Sequence, residues 1–266
     1  MQWIIKVSAF ILLGFIMFGC GFNGLFYYPN VEHVETPEFS QSHYIKYSDQ
    51  DSIHALFYKK NQPIATIFFL HGNAGSLDSW SSLGQLFYKE NFNVFMIDFP
   101  GFGNSTGKAK HEPTYEAAQA AVEYFKSMPE IQDSKKLLMG FSLGGNLAVK
   151  VGHDNPDLFD AMVIEGPFES HKTIAITRVP RPLKFAPFLL VNDAVKGKKL
   201  IRTWNKPLLI VHSTEDRVCE YKMSETLYES AVGTDKKELW TIKGPHLAGL
   251  KLYYDEYIEK VKALVK

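Results

Sequence analysis

Lys135-Lys136-Leu137-Leu138-Met139-Gly140-Phe141-Ser142-Leu143-Gly144-Gly145-Asn146 is the stretch on which the reading of this chain turns. Lys135 to Met139 reads as a buried strand and Asn146 to Gly152 as a helix, so the backbone must turn sharply at Ser142. Gly140 and Gly144, two residues either side of the serine, leave room for strand and helix to close on each other. A serine on such a turn sits in strained backbone with its hydroxyl lifted clear of both elements, as a nucleophile requires. A Gly-x-Ser-x-Gly pentapeptide arises often by chance. Here the strand before it and the helix after it make it informative.

The same strand-then-helix alternation runs through most of the chain. Tyr44 to Tyr47 and His54 to Tyr58, separated by Asp49-Gln50-Asp51, read as an antiparallel hairpin. Ile64 to Leu70 is a continuous apolar run, expected of a strand covered on both faces. Val94 to Ile97, Ala161 to Ile164, Leu208 to Val211 and Glu238 to Ile242 complete the strands. Apolar residues at three-to-four spacing predict helices over Leu77 to Lys89, Thr114 to Ser127, Glu220 to Ala231 and Leu247 to Val265. Alternation of this kind predicts an α/β fold, a mainly parallel central sheet flanked by helices. Glu169 to Asn205 breaks the pattern, is longer than one crossover helix and contains Pro180, Pro182 and Pro187; it reads as a short cap, at about 169–205.

Composition narrows the function. The 266 residues suit one domain; 29 basic residues balance 29 acidic ones, and no basic block appears, which argues against nucleic acid as a partner. Cys20 and Cys219 cannot make a disulfide framework, and no Cys/His cluster has metal spacing, so no metal is expected. Phe102 to Ala109 nearly spells a phosphate-binding loop. However, Phe102 stands at its first glycine and Ala109 at its Ser/Thr position, and no dinucleotide fingerprint is present; no cofactor is expected.

The N-terminus is a separate matter. Lys6 precedes an apolar run, Val7 to Phe18, followed by Gly19-Cys20-Gly21. The run is short for a membrane-spanning helix and suits the core of an export signal. Met17-Phe18-Gly19-Cys20 resembles a bacterial lipobox, with Met17 in place of the commoner leucine and Phe18 in place of a small residue. The expectation is a lipoprotein-type signal peptide over 1–19, lipidation of Cys20, a tether over 20–42 and a folded domain over 43–266. Within the tether, Phe26-Tyr27-Tyr28-Pro29 is the part expected to stick to the domain. An uncleaved anchor and an ordinary cleaved signal are the alternatives. Each exports the domain, and the lipidated form places it at the cell envelope, on a membrane outside the cytoplasm.

Four candidate sites follow predicted strands, where loops at the carboxyl ends of a parallel sheet converge. Ser142 is the candidate nucleophile. His71-Gly72-Asn73-Ala74-Gly75 is a glycine-rich turn entering a helix, and the backbone N–H groups of Asn73 and Leu143 are the expected oxyanion donors. His71 itself reads as structural. Asp216, in His212-Ser213-Thr214-Glu215-Asp216, is the expected carboxylate partner of a histidine, with neighbouring Glu215 and the earlier Glu165 as alternatives. His246, after the last strand, is the expected general base, whereas His153, His171 and His212 stand outside the required strand ends or order. The chain order Ser142, Asp216, His246 is the one used by α/β-hydrolases.

These residues give the chain a specific likeness. It resembles the α/β-hydrolase superfamily of serine hydrolases, and within it the BEM46-like group, from about Phe26 to the C-terminus. The likeness rests on Leu25-Phe26-Tyr27-Tyr28-Pro29, His71-Gly72-Asn73-Ala74-Gly75, Asp98-Phe99-Pro100-Gly101-Phe102-Gly103-Asn104-Ser105, Gly140-Phe141-Ser142-Leu143-Gly144-Gly145 and Glu165-Gly166-Pro167-Phe168. The Asp216 loop and His246 extend it. The resemblance implies the α/β-hydrolase fold, a Ser142–His246–Asp216 triad and oxyanion donors at Asn73 and Leu143. Two departures, Cys219 where proline is frequent and Pro245 before the histidine, are expected to touch no reacting atom. The implied activity is cleavage of a small acyl ester, thioester or lysolipid, with the Leu183 to Leu190 run either lining an acyl slot or packing the cap down. The alternative is a catalytically silent fold serving as a binding or scaffold protein at the envelope; the filled chemical positions argue against it.

Overall fold

The computed structural model describes residues 26–266; the expected signal peptide and Cys20 lie outside them. One eight-stranded sheet organises the domain: β1 (Ser40–Lys46), β2 (Ser52–Tyr58), β3 (Thr66–Leu70), β4 (Asn93–Ile97), β5 (Lys136–Phe141), β6 (Ala161–Glu165), β7 (Leu208–Ser213) and β8 (Lys237–Ile242). Their order across the sheet is β8-β7-β6-β5-β3-β4-β2-β1. The β1–β2 hairpin and the β2–β4 pair are antiparallel, and every other pair is parallel.

The apolar strands explain the layers. Side chains alternate across a strand, so an unbroken apolar run needs a core on both faces. In β3, Phe68 and Leu70 enter one core with Phe95, Leu138 and Ile164. Ile67 and Phe69 enter the other with Met96, Met139 and Val211. Helix α1 (Leu77–Lys89) and the C-terminal helices cover the second face. Helices α2 (His111–Ser127) and α3 (Leu143–Asp154) cover the first. Asp98, directly after β4, accepts the Leu77 N–H at 2.8 Å and so ties the start of α1 to the sheet.

The cap inserts between β6 and β7 as α4 (His171–Arg178), α5 (Phe185–Leu190) and α6 (Gly197–Leu200), with short 3-10 turns at Arg181–Leu183 and Ile201–Thr203. Its three prolines fall outside α4, and none interrupts a long helix, because the cap has none.

Three expectations need correction. The segment assigned as tether over 20–42 is part of the domain from Phe26 on. Phe26, Tyr27 and Val34 are buried, Tyr28–Pro29 pairs in parallel with Ala74–Gly75, and β1 starts at Ser40. Phe26 to Pro29 is therefore not the only part that sticks. The single C-terminal helix is two, α8 (Gly249–Leu252) and α9 (Tyr254–Leu264), after α7 (Tyr221–Ser230). The break comes at Tyr253, whose ring packs on Trp240 and whose hydroxyl accepts the Lys243 N–H. Periodicity of apolar residues reports the buried face but not an interruption made by a distant contact.

Candidate active site

Ser142 sits at φ 52°, ψ −111°, between β5 and α3. A Cβ at Gly144 would overlap the Leu70 carbonyl oxygen, and one at Gly140 would overlap the Gly144 carbonyl. The turn is therefore packed backbone against backbone, which is why both positions lack side chains. The Ser142 N–H donates to the Glu165 carbonyl at 2.8 Å, anchoring the turn to the end of β6. Leu143 is the first residue of α3, where a helix leaves its amides without internal partners. Asn73, Ser142 and Leu143 line one cavity of about 450 Å³.

His246 and Asp216 meet at the same end of the sheet. His246 Nδ1 lies 2.6 Å from Asp216 Oδ2. The imidazole packs on Gly166, the residue after β6, so closely that a Cβ there would lie 2.8 Å from its Cε1. Ser142 and His246 thus both contact the 165–166 segment at the end of β6.

Asp216 is held by four donors. Its Oδ1 accepts the N–H groups of Val218 at 2.7 Å and Cys219 at 2.9 Å, and its Oδ2 faces His246 and, at 3.1 Å, His212 Nε2. Because His212 Nε2 also meets the Cys219 carbonyl at 3.0 Å, and a carbonyl only accepts, that nitrogen carries the proton. Burial alone would raise Asp216, but the His212 and His246 hydrogen bonds outweigh it and hold the carboxyl well below the usual carboxylate range. An ionised Asp216 in turn draws the His246 proton to Nδ1 and leaves a lone pair on Nε2.

The alternatives to Asp216 do other work. Glu215 accepts the Gly244 N–H at 3.0 Å and steadies the loop that carries His246. Glu165 is buried and accepts the Gly249 N–H at 2.7 Å on the far side of that loop. His71 is buried, takes the Phe99 N–H on Nε2 and meets the Gly72 carbonyl through Nδ1, so its role is structural.

Burial pushes Glu165 up to about 7, with a further push from the Asp216 charge. The folded protein therefore keeps this proton where the unfolded chain has lost it. Stability should fall as pH rises from about 4.5 to about 7 and level off above, by roughly 3 kcal/mol in total. Glu165→Gln keeps the acceptor for Gly249 but not the proton. Its urea-unfolding free energy is expected to gain on the wild type across that window, and parallel curves would contradict the assignment.

Two features escaped the sequence reading. His212 reads from the sequence as outside the required strand end or order, yet it is the penultimate residue of β7 and backs Asp216. The signal available was its position four residues before Asp216. Cys219, noted only as a departure from the family pattern, holds Asp216 through its backbone N–H; burial pushes its thiol up to about 12, and the Asp216 charge adds to the push. The expected acyl slot also differs: the cavity draws Ile174, Ala175 and Arg178 from α4 and Phe26 from the N-terminal arm. Phe185 and Leu189 of the 183–190 run are exposed instead. Among the described residues, no cluster of His, Cys, Asp and Glu is arranged to hold a metal.

Comparison with known proteins agrees with this architecture. Residues 65–190 match the model of the alpha/beta hydrolase fold family. The uncharacterized protein YfhR of Salmonella typhi is 29% identical over 240 residues, covering 84% of this chain and 80% of that protein. Protein bem46 of Schizosaccharomyces pombe is 32% identical over 116 residues, 43% of this chain and 39% of that protein. Among solved structures, the Pyrococcus furiosus esterase Pf2001 superposes with a TM-score of 0.72 at 20% identity, covering 90% of this chain and 98% of that one. Est1E of Butyrivibrio proteoclasticus, with ferulic acid bound, superposes with a TM-score of 0.64 at 21% identity, covering 84% of this chain and 96% of that one. The protein therefore has the α/β-hydrolase fold, with the YfhR proteins and bem46 among its relatives and esterases among its structural neighbours.

Proposed function

We propose that the protein is a serine hydrolase that cleaves carboxylic esters, in a class that includes thioesters and lysolipids, through an acyl-enzyme on Ser142. The observation that carries this reading is the 2.6 Å contact between His246 and a buried, four-fold-held Asp216, at the sheet end that also bears Ser142 on its strained turn. In this reading Ser142 Oγ attacks the acyl carbon while its proton passes to His246 Nε2. The carbonyl oxygen becomes an oxyanion that the N–H groups of Asn73 and Leu143 receive, each lowering the barrier by about 3 kcal/mol. Collapse of the intermediate expels the alcohol, which takes the proton from His246. Water then attacks the acyl-enzyme by the same path and releases the acid. Phe26, Phe168, Ile174 and Ala175 make the cavity wall largely apolar, which suits an acyl chain.

A fluorophosphonate probe is expected to label the wild type and to leave Ser142→Ala unlabelled. Equal labelling of both, or none on a folded wild type, would overturn the reading. A panel of esters and thioesters of graded chain length then defines the acyl group.

The same reading holds the domain to a membrane through lipidated Cys20, at the cell envelope. It is supported by the apolar run of residues 7–18 and the lipobox-like Met17-Phe18-Gly19-Cys20. Metabolically supplied palmitate should label the wild type and not Cys20→Ala; label that survives the substitution removes the lipid attachment.

A further inference from the structure

The cap carries a charge imbalance that the balanced chain hides. Residues 169–206 hold nine basic and two acidic side chains, in a protein of zero formal charge. Arg178, Arg181, Lys184, Lys196, Lys198, Lys199 and Arg202 are all exposed. None of these seven forms an ion pair among the described residues, whereas lysines elsewhere, such as Lys126, Lys150 and Lys262, do. Lys196, Lys198, Lys199 and Arg202 line one shallow concavity of the cap together with Glu169 and Asp193, so its four cations outnumber its two carboxylates.

Apolar side chains stand exposed on the same insertion. Phe185 and Leu189, 58% and 66% exposed, are four residues apart and so share one face of α5. Two more, Tyr28 and Val218, are exposed where they line the Ser142 cavity. Exposed apolar residues among unpaired cations are the composition of a surface that meets anionic lipid: the apolar groups enter the interface and the cations meet the headgroups.

The chain itself adds a constraint. Phe26 is in the wall of the Ser142 cavity. Only residues 21–25 separate it from Cys20, the residue proposed to carry the lipid, and such a stretch spans at most about 22 Å. A membrane that held the Cys20 lipid would therefore lie near the mouth of the cavity.

We propose that the cap is a docking surface for an anionic lipid bilayer, which its cations and the Phe185–Leu189 face engage so that the Ser142 cavity opens toward the membrane. The proposal rests on the serine-hydrolase reading for its chemistry and makes the substrate an acyl ester presented from a lipid surface. An anionic surface, rather than a neutral one, follows from cations that outnumber the cap's two carboxylates and form no ion pair among the described residues. Each is worth roughly a fivefold factor in partition to such a surface.

The test uses the full chain reconstituted in vesicles of phosphatidylcholine alone or with roughly a third phosphatidylglycerol, the anionic component that the cations would meet. Three activities are compared: a short water-soluble ester, a long-chain fluorogenic ester in neutral vesicles, and the same ester in anionic vesicles. Wild type should favour the anionic vesicles by about tenfold or more, and high salt should remove the preference. Lys196→Glu/Lys198→Glu/Lys199→Glu should abolish the preference, and Phe185→Ser/Leu189→Ser should slow the vesicle reactions about tenfold. Both variants should cleave the soluble ester at the wild-type rate, which also shows that they fold.

Equal wild-type rates on the two vesicles, or variants that keep the wild-type preference, overturn the docking surface and leave the hydrolase reading standing. If no ester is cleaved, hydrogen exchange still decides: protection of residues 181–202 by anionic but not neutral vesicles supports docking without hydrolysis. Protection of the same segment by RNA or by an acidic protein, and not by vesicles, overturns the membrane as its occupant.

Discussion

Replacing Ser142 by alanine is expected to lower kcat on any ester the protein hydrolyses by about five to six orders of magnitude, with the fold retained. The size follows from what the hydroxyl does in the mechanism. Without it no acyl-enzyme forms, and what remains is water attack on a bound ester beside the Asn73 and Leu143 amides. The fold should survive because alanine keeps the Cβ and the backbone is set by its surroundings. The Ser142 N–H is bonded to Glu165, the Asn146 N–H to the Ser142 carbonyl, and Gly140 is packed on Gly144. Steady-state kinetics with a thermal melt alongside measure both parts. A variant that melts like the wild type and loses less than tenfold in kcat would remove Ser142 from the chemistry.

Asp216→Asn is expected to cost about four orders of magnitude in kcat, near 5 kcal/mol of barrier. The amide has the size of the carboxylate, and its oxygen can still accept from Val218 and Cys219. Its NH₂ then faces His246 Nδ1 and His212 Nε2. His212 cannot yield, because its Nε2–H is also committed to the Cys219 carbonyl. His246 must instead offer a lone pair at Nδ1, which puts its proton on Nε2, where a base for Ser142 is needed. The loss is therefore one of tautomer as well as of charge. The double variant with Ser142→Ala should be no slower than Ser142→Ala alone, because the two residues act as one unit. Additive losses would show that Asp216 acts on something other than the proton transfer from Ser142.

Much of this architecture was legible beforehand, for physical reasons that differ by element. The interior strands β3 to β7 were readable because a strand buried on both faces has no polar alternation to confuse it. The start and end of α1 matched because Leu77 to Lys89 combines a clear apolar face with a polar Ser76 before it. The turn at Ser142 was readable because the glycines that make room for it are themselves the signal. The N-terminal arm is legible only in its aromatic Phe26 to Pro29, since nothing local in Val34 says that a surface waits for it. The C-terminal helix is interrupted for the same kind of reason, a contact of Tyr253 with Trp240 and Lys243, which lie outside the helical pattern itself.

What the sequence determined by itself was the layered α/β architecture and the residue types at the strand ends, because both are written in local periodicity and in the absence of side chains at Gly140 and Gly144. Only the tertiary structure decided which carboxylate serves His246. The sequence favours Asp216 but leaves Glu215 and Glu165 open, since all three neighbour strand ends. They part company through what each meets in space: the amides of Gly249 and Gly244 for the two glutamates, and His246 with its backing His212 for the aspartate. Hydrogen-bond partnership depends on positions fixed to within an ångström, and that comes from the closing of the whole sheet rather than from any segment of it.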